Sequence, residues 1–133
     1  MIYRLEAMAE TLKGIVTCGS REGYTGRSFG LPRVEKSLDE TNVEVARRGL
    51  TPLPCIITSG KLVGRSEDGG ARYTEGVYRL EFALSPRSKK MSKREFQSVL
   101  IAYAEGIGSK LKQERVYVEF GGKTSVIRKI KKV

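Results

Sequence analysis

Residues 77–84 read Val-Tyr-Arg-Leu-Glu-Phe-Ala-Leu, with Tyr78, Leu80, Phe82 and Leu84 alternating against Val77, Arg79, Glu81 and Ala83. A period of two marks a strand with one buried face. Upstream, Pro52 and Pro54 precede a second β-like run from Cys55 to Val63, and the turn-rich stretch Gly64 to Arg72 lies between. The two runs read as a long antiparallel hairpin with a loose tip.

Downstream, Ser92 stands three residues before Glu95, the spacing of a capping box. Phe96, Leu100, Tyr103, Ile107 and Leu111 then recur every three or four residues. This predicts a helix over 92–113. Gly106 and Gly108 weaken its second half, each by about 1 kcal/mol relative to alanine; they would kink it, end it early or admit another backbone. Val116, Val118 and Phe120 alternate next with Arg115, Tyr117 and Glu119, before Gly121-Gly122 and a returning run from Thr124 to Ile130. That pattern predicts a second hairpin.

The amino-terminal third fits two periodicities. Ile2, Leu5, Ala9, Leu12 and Val16 match a helix stripe, while Met1, Tyr3, Leu5 and Ala7 match a strand. Tyr3-Arg-Leu-Glu6 recurs as Tyr78-Arg-Leu-Glu81, which favours a strand at 1–9 and a second at 11–18. Residues 19–33 form a loop with four glycines, and Leu38, Thr41, Val45 and Arg48 are spaced for a short helix over 34–49 that Gly49 would stop. The expected fold is α+β, antiparallel β-hairpins packed on one main helix in a single domain over 1–133. Mobile loops are expected at about 19–33 and 64–76, and a basic carboxyl-terminal part over 85–133. The expected core is Tyr78, Leu80, Phe82, Phe96, Leu100, Tyr103, Ile107, Val116, Val118 and Phe120.

Composition narrows the chemistry. The chain holds no histidine, which removes the commonest general base and the usual metal ligand, and with them Ser-His-Asp and Cys-His mechanisms within one chain. With Cys18 and Cys55 the only cysteines, a structural zinc site is not expected. Reduced core thiols are the expectation, with a Cys18–Cys55 disulfide left open. Glu22, Glu35, Asp39, Glu40 and Glu44 form an acidic stretch of the kind that binds magnesium or merely faces solvent. No cofactor motif is present, since the glycine spacing at 19–33 matches neither the P-loop nor the dinucleotide fingerprint. No run reaches the roughly 18 apolar residues of a membrane span, and the start lacks the features of a secretion signal, so a cytoplasmic protein is expected.

Charge carries the functional reading. The net charge is +10, and it is unevenly placed: 12 basic and 11 acidic side chains over 1–84, against 13 and 4 over 85–133. Such asymmetry predicts a surface that faces an anion. Arg87, Lys89, Lys90, Lys93 and Arg94 lead into the main helix, where the dipole ordinarily prefers acids; a phosphate would relieve that repulsion, and a solvated connector is the plain alternative. Lys123, Arg128, Lys129, Lys131 and Lys132 follow on the last hairpin, either as a phosphate-contacting ribbon or as an edge strand blunted against aggregation. Tyr117, on the non-core side of its strand, is placed to stack on a base. Arg21, Arg27 and Arg33 among glycines form a possible anion loop, with Tyr24 and Phe29 at its tip.

The leading expectation is therefore a small basic protein that contacts nucleic acid, DNA or RNA, or a nucleoprotein complex through phosphate electrostatics, without catalytic residues. The alternatives are a protein-interaction module, such as a small inhibitor or adaptor of a mobile element, and an enzyme on a phosphorylated small molecule that uses the Gly/Arg loop 19–33.

Overall fold

All but the last residue of the alternating run at 77–84 lies inside the longest strand of the computed structural model, which describes residues 2–130. In chain order the elements are β1 (Lys13–Gly19), α1 (Leu31–Arg47), β2 (Cys55–Arg65), β3 (Arg72–Ala83), α2 (Lys93–Lys110), β4 (Arg115–Phe120) and β5 (Lys123–Arg128). The strands form one antiparallel sheet in the order β2-β3-β1-β4-β5. This is the expected α+β architecture in one small domain, with α1 added as a second long helix.

Both hairpins form. The pairing of β2 with β3 runs from Cys55↔Phe82 out to Arg65↔Arg72, further than the sequence pattern indicates. Its turn is short, closed by the Ser66 amide on the Ala71 carbonyl (2.8 Å) and by Asp68, which accepts from the Gly70 amide and the Ser66 hydroxyl. The β4–β5 turn is Gly121-Gly122, with φ of 61° and 77°, the left-handed pair a two-residue hairpin loop requires.

The helices cover one face of the sheet. Alternate positions Val16, Cys18, Tyr78, Leu80, Phe82, Val116 and Val118 are buried there against Phe96, Leu100, Tyr103 and Ile107 of α2. Each large apolar side chain so buried contributes about 1.5–3 kcal/mol. Every expected core residue lies in this cluster, Phe120 at its margin. Ser92 caps α2, its hydroxyl accepting from the Glu95 amide at 3.1 Å. The two α2 glycines do not end the helix, which continues to Lys110. They admit neighbours: a Cβ on Gly106 would stand 2.8 Å from Thr41 Cγ2 of α1, and one on Gly108 2.8 Å from Val116 Cγ2 of β4. Helix α1 starts at Leu31, three residues before the expected start, because Pro32 occupies the first turn, where its missing N–H costs no bond. Tyr103 ties the chain before β2 to the core; its hydroxyl accepts from the Leu53 amide at 3.0 Å and donates to Asn42.

One expectation is corrected and one open question is closed. Residues 2–12 form no strand, and 2–11 are exposed. The segment Tyr3-Arg-Leu-Glu6 has the same letters as its counterpart in β3 but no neighbouring strand to complete its ladder, whereas β3 has β1 and β2 on its two sides. The cysteines are free. Cys18 sits opposite Tyr78 and Cys55 opposite Phe82, on the two sides of β3 and four residues apart along it, beyond disulfide reach. No helix of the described residues is long and apolar enough to cross a membrane.

Candidate active site

The face of the sheet away from the helices carries the other alternate set. Thr17 of β1 lies between Arg79 of β3 and Tyr117 of β4 in one register row. One step along, Glu119 stands diagonal to Arg79, with carboxylate and guanidinium 3.7 Å apart. These side chains floor a cleft of about 630 Å³. Its second wall is the outer part of the β2–β3 hairpin, with Lys61, Leu62, Thr74, Glu75 and Gly76. Its third wall is the loop after β1, with Ser20, Arg21, Gly23, Tyr24 and Ser28, and Arg115 of β4 joins the lining. The walls meet closely: the Ser20 amide donates to the Gly76 carbonyl at 3.1 Å, and a Cβ on Gly76 would fall 2.5 Å from the Ser20 hydroxyl.

The loop wall is tied down from several sides. Glu22 accepts from Arg33 at 3.1 Å and lies 3.4 Å from the Lys112 ammonium. The hydrogen bond from Arg33 holds its carboxyl below the usual range, and Lys112 acts in the same direction. The Gly23 amide donates to the Lys112 carbonyl at 2.7 Å. Arg21 and Ser28 bridge across the loop. Phe29 is not an exposed tip residue but stacks on Tyr78 with ring centroids 6.0 Å apart, and accepts from its hydroxyl through the backbone. Tyr24 stays exposed, and its hydroxyl accepts from Arg115.

Among the titratable groups of the cleft, Cys18 is not a nucleophile at neutral pH, since burial pushes its thiol up to about 12. Glu75 is exposed and has no ion-pair partner among the described residues. Tyr24 and Tyr117 are the tyrosines of the lining, with Glu75 and Glu119 its acids and Lys61, Arg21, Arg79 and Arg115 its bases.

Of the expected anion loop, Arg21 lines this cleft. Arg33 is taken up by Glu22, by the Lys110 carbonyl at 3.3 Å and by the Phe29 ring, 5.1 Å from its guanidinium carbon. Arg27 is exposed and outside the lining. Of the acidic stretch, Glu22 and Glu44 are salt-bridged to basic side chains, and no metal-sized group of carboxylates and thiols gathers among the described residues.

The expected basic clusters lie elsewhere and apart. Lys89, Lys90 and Arg94 line a groove of about 410 Å³ with Gly49, Leu50 and Thr51. Arg87 stands 3.7 Å from Glu6, both exposed, and Lys93 opens α2. Lys123 and Arg128 mark the two ends of the edge strand β5, about 17 Å apart at strand rise. Lys129 and Arg128 border a pocket at the carboxyl end of α2. An 18-residue helix therefore separates them from Lys93 and Arg94, a distance on the order of 25 Å. Lys131 and Lys132 lie outside the described residues.

Sequence reasoning picked out Arg21, Tyr24 and Tyr117 but missed Lys61, Glu75, Arg79, Arg115 and Glu119 as members of one site. The available signal was the solvent side of the two hairpins, where an aromatic and opposite charges alternate with the core.

No family model matches the chain, and no curated protein matches it significantly. Two solved structures share its fold along nearly the whole length. A phage SAM lyase in complex with S-methyl-5'-thioadenosine superposes with a TM-score of 0.65 at 17% identity, covering 97% of this chain and 96% of that one. A phage SAM lyase in the apo state gives 0.66 at 16% identity, covering 96% and 97%. These likenesses overturn the nucleic-acid reading drawn from charge. The fold is shared with proteins described as lyases of a small molecule, and among the described residues the basic side chains at the start of α2 lie apart from Arg128 and Lys129. The small-molecule alternative agrees better, although the nucleoside in the first structure is a thioether that carries no phosphate.

Proposed function

We propose that the chain is an enzyme of small-molecule chemistry that binds an adenosyl sulfonium in the cleft beside β1 and cleaves a carbon–sulfur bond, releasing S-methyl-5'-thioadenosine. The observation that carries this reading is the agreement of fold, end to end, with a lyase holding that thioether. The cleft supports it. Its 630 Å³ is within the range of small-molecule pockets, and it offers aromatic faces and unpaired acid to a ligand that is both a nucleoside and a cation.

The composition fits this chemistry. A sulfonium leaves as a neutral thioether, so no general acid is needed to protonate it, and a chain without histidine is at no disadvantage. The route that closes the atom balance without a co-reactant is internal. The carboxylate of the methionyl arm attacks its own γ-carbon, a carbon–oxygen bond forms, the carbon–sulfur bond breaks, and its electron pair returns to sulfur. The products are S-methyl-5'-thioadenosine and a five-membered lactone. The protein then has to fold the arm back on itself and keep water out, which is catalysis by orientation. Tyr24 and Tyr117 supply faces for the adenine and the sulfonium, where a cation over a ring gains about 0.5–2 kcal/mol. Glu75 faces the positive end of the substrate. Lys61 and the cleft arginines keep its anionic end within the site, and Arg79 is itself oriented by Glu119.

Incubation of the purified chain with SAM, followed by chromatography for S-methyl-5'-thioadenosine, tests the reading. Enzyme-dependent release is expected, reduced at least tenfold by Glu75→Gln and by Tyr117→Ala at unchanged melting temperature. A chain that neither releases the thioether nor binds it at millimolar concentration overturns it.

A further inference from the structure

We infer that Gln113 is a positioning residue: its carboxamide locks the loop wall of the cleft to the end of α2 and so sets the shape in which ligand is bound. The inference rests on the adenosyl-sulfonium reading of that cleft and goes beyond it by naming what holds the wall in place.

Gln113 is 7% exposed and belongs to no strand or helix. A long polar side chain is rarely buried unless its amide is fully used, and here it is. Oε1 accepts from the Gly19 amide at 2.8 Å, and Nε2 donates to the Arg21 carbonyl at 2.8 Å and to the Leu111 carbonyl at 3.2 Å. One planar group therefore grips the last residue of β1 and the second residue of the loop, 94 and 92 positions away in sequence. Gly19 and Arg21 both line the cleft. Gln113 does not, and reaches the site only through them.

The backbone before it is bent to make this reach. Lys112 has φ of 53°, a left-handed conformation that costs a side-chain-bearing residue roughly 1–2 kcal/mol. The Gln113 amide closes this turn on the Gly108 carbonyl at 2.8 Å. The Lys112 carbonyl receives the Gly23 amide and its ammonium faces Glu22. The end of α2 and the loop are thus joined at Gly19, Arg21 and Gly23, and the buried amide supplies the first two bonds. A carboxamide fits both. A carboxylate accepts from Gly19 but opposes the Arg21 and Leu111 carbonyls, and a thioether does neither.

The test measures S-methyl-5'-thioadenosine affinity by calorimetry in the full chain, together with melting temperature. Gln113→Met is expected to weaken affinity at least tenfold. Gln113→Glu is expected to show a pH-dependent deficit relative to wild type. Its buried carboxyl, raised by desolvation and the facing carbonyls, takes up its proton as pH is lowered. The acid form then donates to Arg21 and accepts from Gly19, so the deficit shrinks. Val45→Ala, in the α1 core away from the cleft, is the control for a general loss of stability. If Gln113→Met and Gln113→Glu bind as wild type does, if the Gln113→Glu deficit ignores pH, or if Val45→Ala weakens affinity as much at an equal fall in melting temperature, the positioning role is overturned while the function stands. If wild type does not bind the thioether at all, the functional reading fails and takes this inference with it.

Discussion

Two stretches of the chain carry dense positive charge among small residues: the loop and helix start over 20–33, and the connector and helix start over 84–94. In sequence the second is the more cationic. In the structure they are opposites. The first is gripped by Glu22, Lys112, Gln113, Phe29 and Tyr78 and forms a wall of the cleft. In the second, Arg87 meets Glu6 across an exposed gap of 3.7 Å, and Lys89 and Lys90 make no side-chain hydrogen bond or salt bridge among the described residues. The difference teaches that charge density along a chain is poor evidence for a binding site. What marks a site is the number of independent elements that converge to fix a backbone in place.

The comparison breaks most readily at Arg33. Its guanidinium bonds Glu22 and the Lys110 carbonyl and covers Phe29. Arg33→Met removes the charged donor and leaves both acceptors partly buried, a deficit larger than that of an ordinary surface change. The melting temperature is expected to fall by roughly 5 °C, with weaker binding of S-methyl-5'-thioadenosine because the loop wall loosens. A shift under about 1 °C would place this loop in the same class as the connector.

A pH titration sharpens the same point with a smaller effect. The Glu22 carboxyl lies below its ordinary value of 4.5, first through the Arg33 hydrogen bond and then through Lys112. A group whose folded value is depressed stabilises the fold above its unfolded value, and the contribution disappears as pH falls through the folded one. Wild type is therefore expected to melt above Glu22→Gln by a constant margin near neutrality. The margin should narrow below pH 4.5 as Glu22 takes up its proton. A margin unchanged down to about pH 3 would show that the carboxylate charge does not hold the loop.

How much of this was legible beforehand follows from what each feature depends on. The two hairpins and α2 depend on local facts: alternation around Leu80 and Val118, the Ser92 cap, the stripe from Phe96 to Leu111, the Gly121-Gly122 turn. Those are written within a few residues of one another. The segment 2–12 is different, because Tyr3-Arg-Leu-Glu6 has a strand's pattern and lacks a strand's neighbour, and pairing is a property of the whole sheet. The cleft is more distant still from any single stretch. Thr17, Glu75, Arg79 and Tyr117 come from three strands and meet only because the sheet order places β1 between β3 and β4. Gln113 was invisible for the same reason, its partners being more than 90 residues away. Lysine and arginine counts, by contrast, are fully visible in the sequence and drew attention to the surface rather than to the site.

The smallest expected effect has the opposite sign. Lys93 and Arg94 occupy the first turn of α2, beside Lys89 and Lys90, where the helix dipole disfavours cations by about 0.3–1 kcal/mol each. Ser92 already serves the Glu95 amide, so the helix start does not need these side chains. Lys93→Gln combined with Lys89→Gln and Lys90→Gln is therefore expected to raise the melting temperature by about 1–3 °C. Because the cleft lies at the other end of α2, affinity for S-methyl-5'-thioadenosine should stay within about twofold, a change of roughly 0.4 kcal/mol. The gain should shrink in high salt, since these charges are exposed and screened. A fall in melting temperature would mean that the connector has attachments of its own, and a loss of affinity would mean that its charge reaches the cleft. Either outcome would erase the contrast between the two cationic stretches.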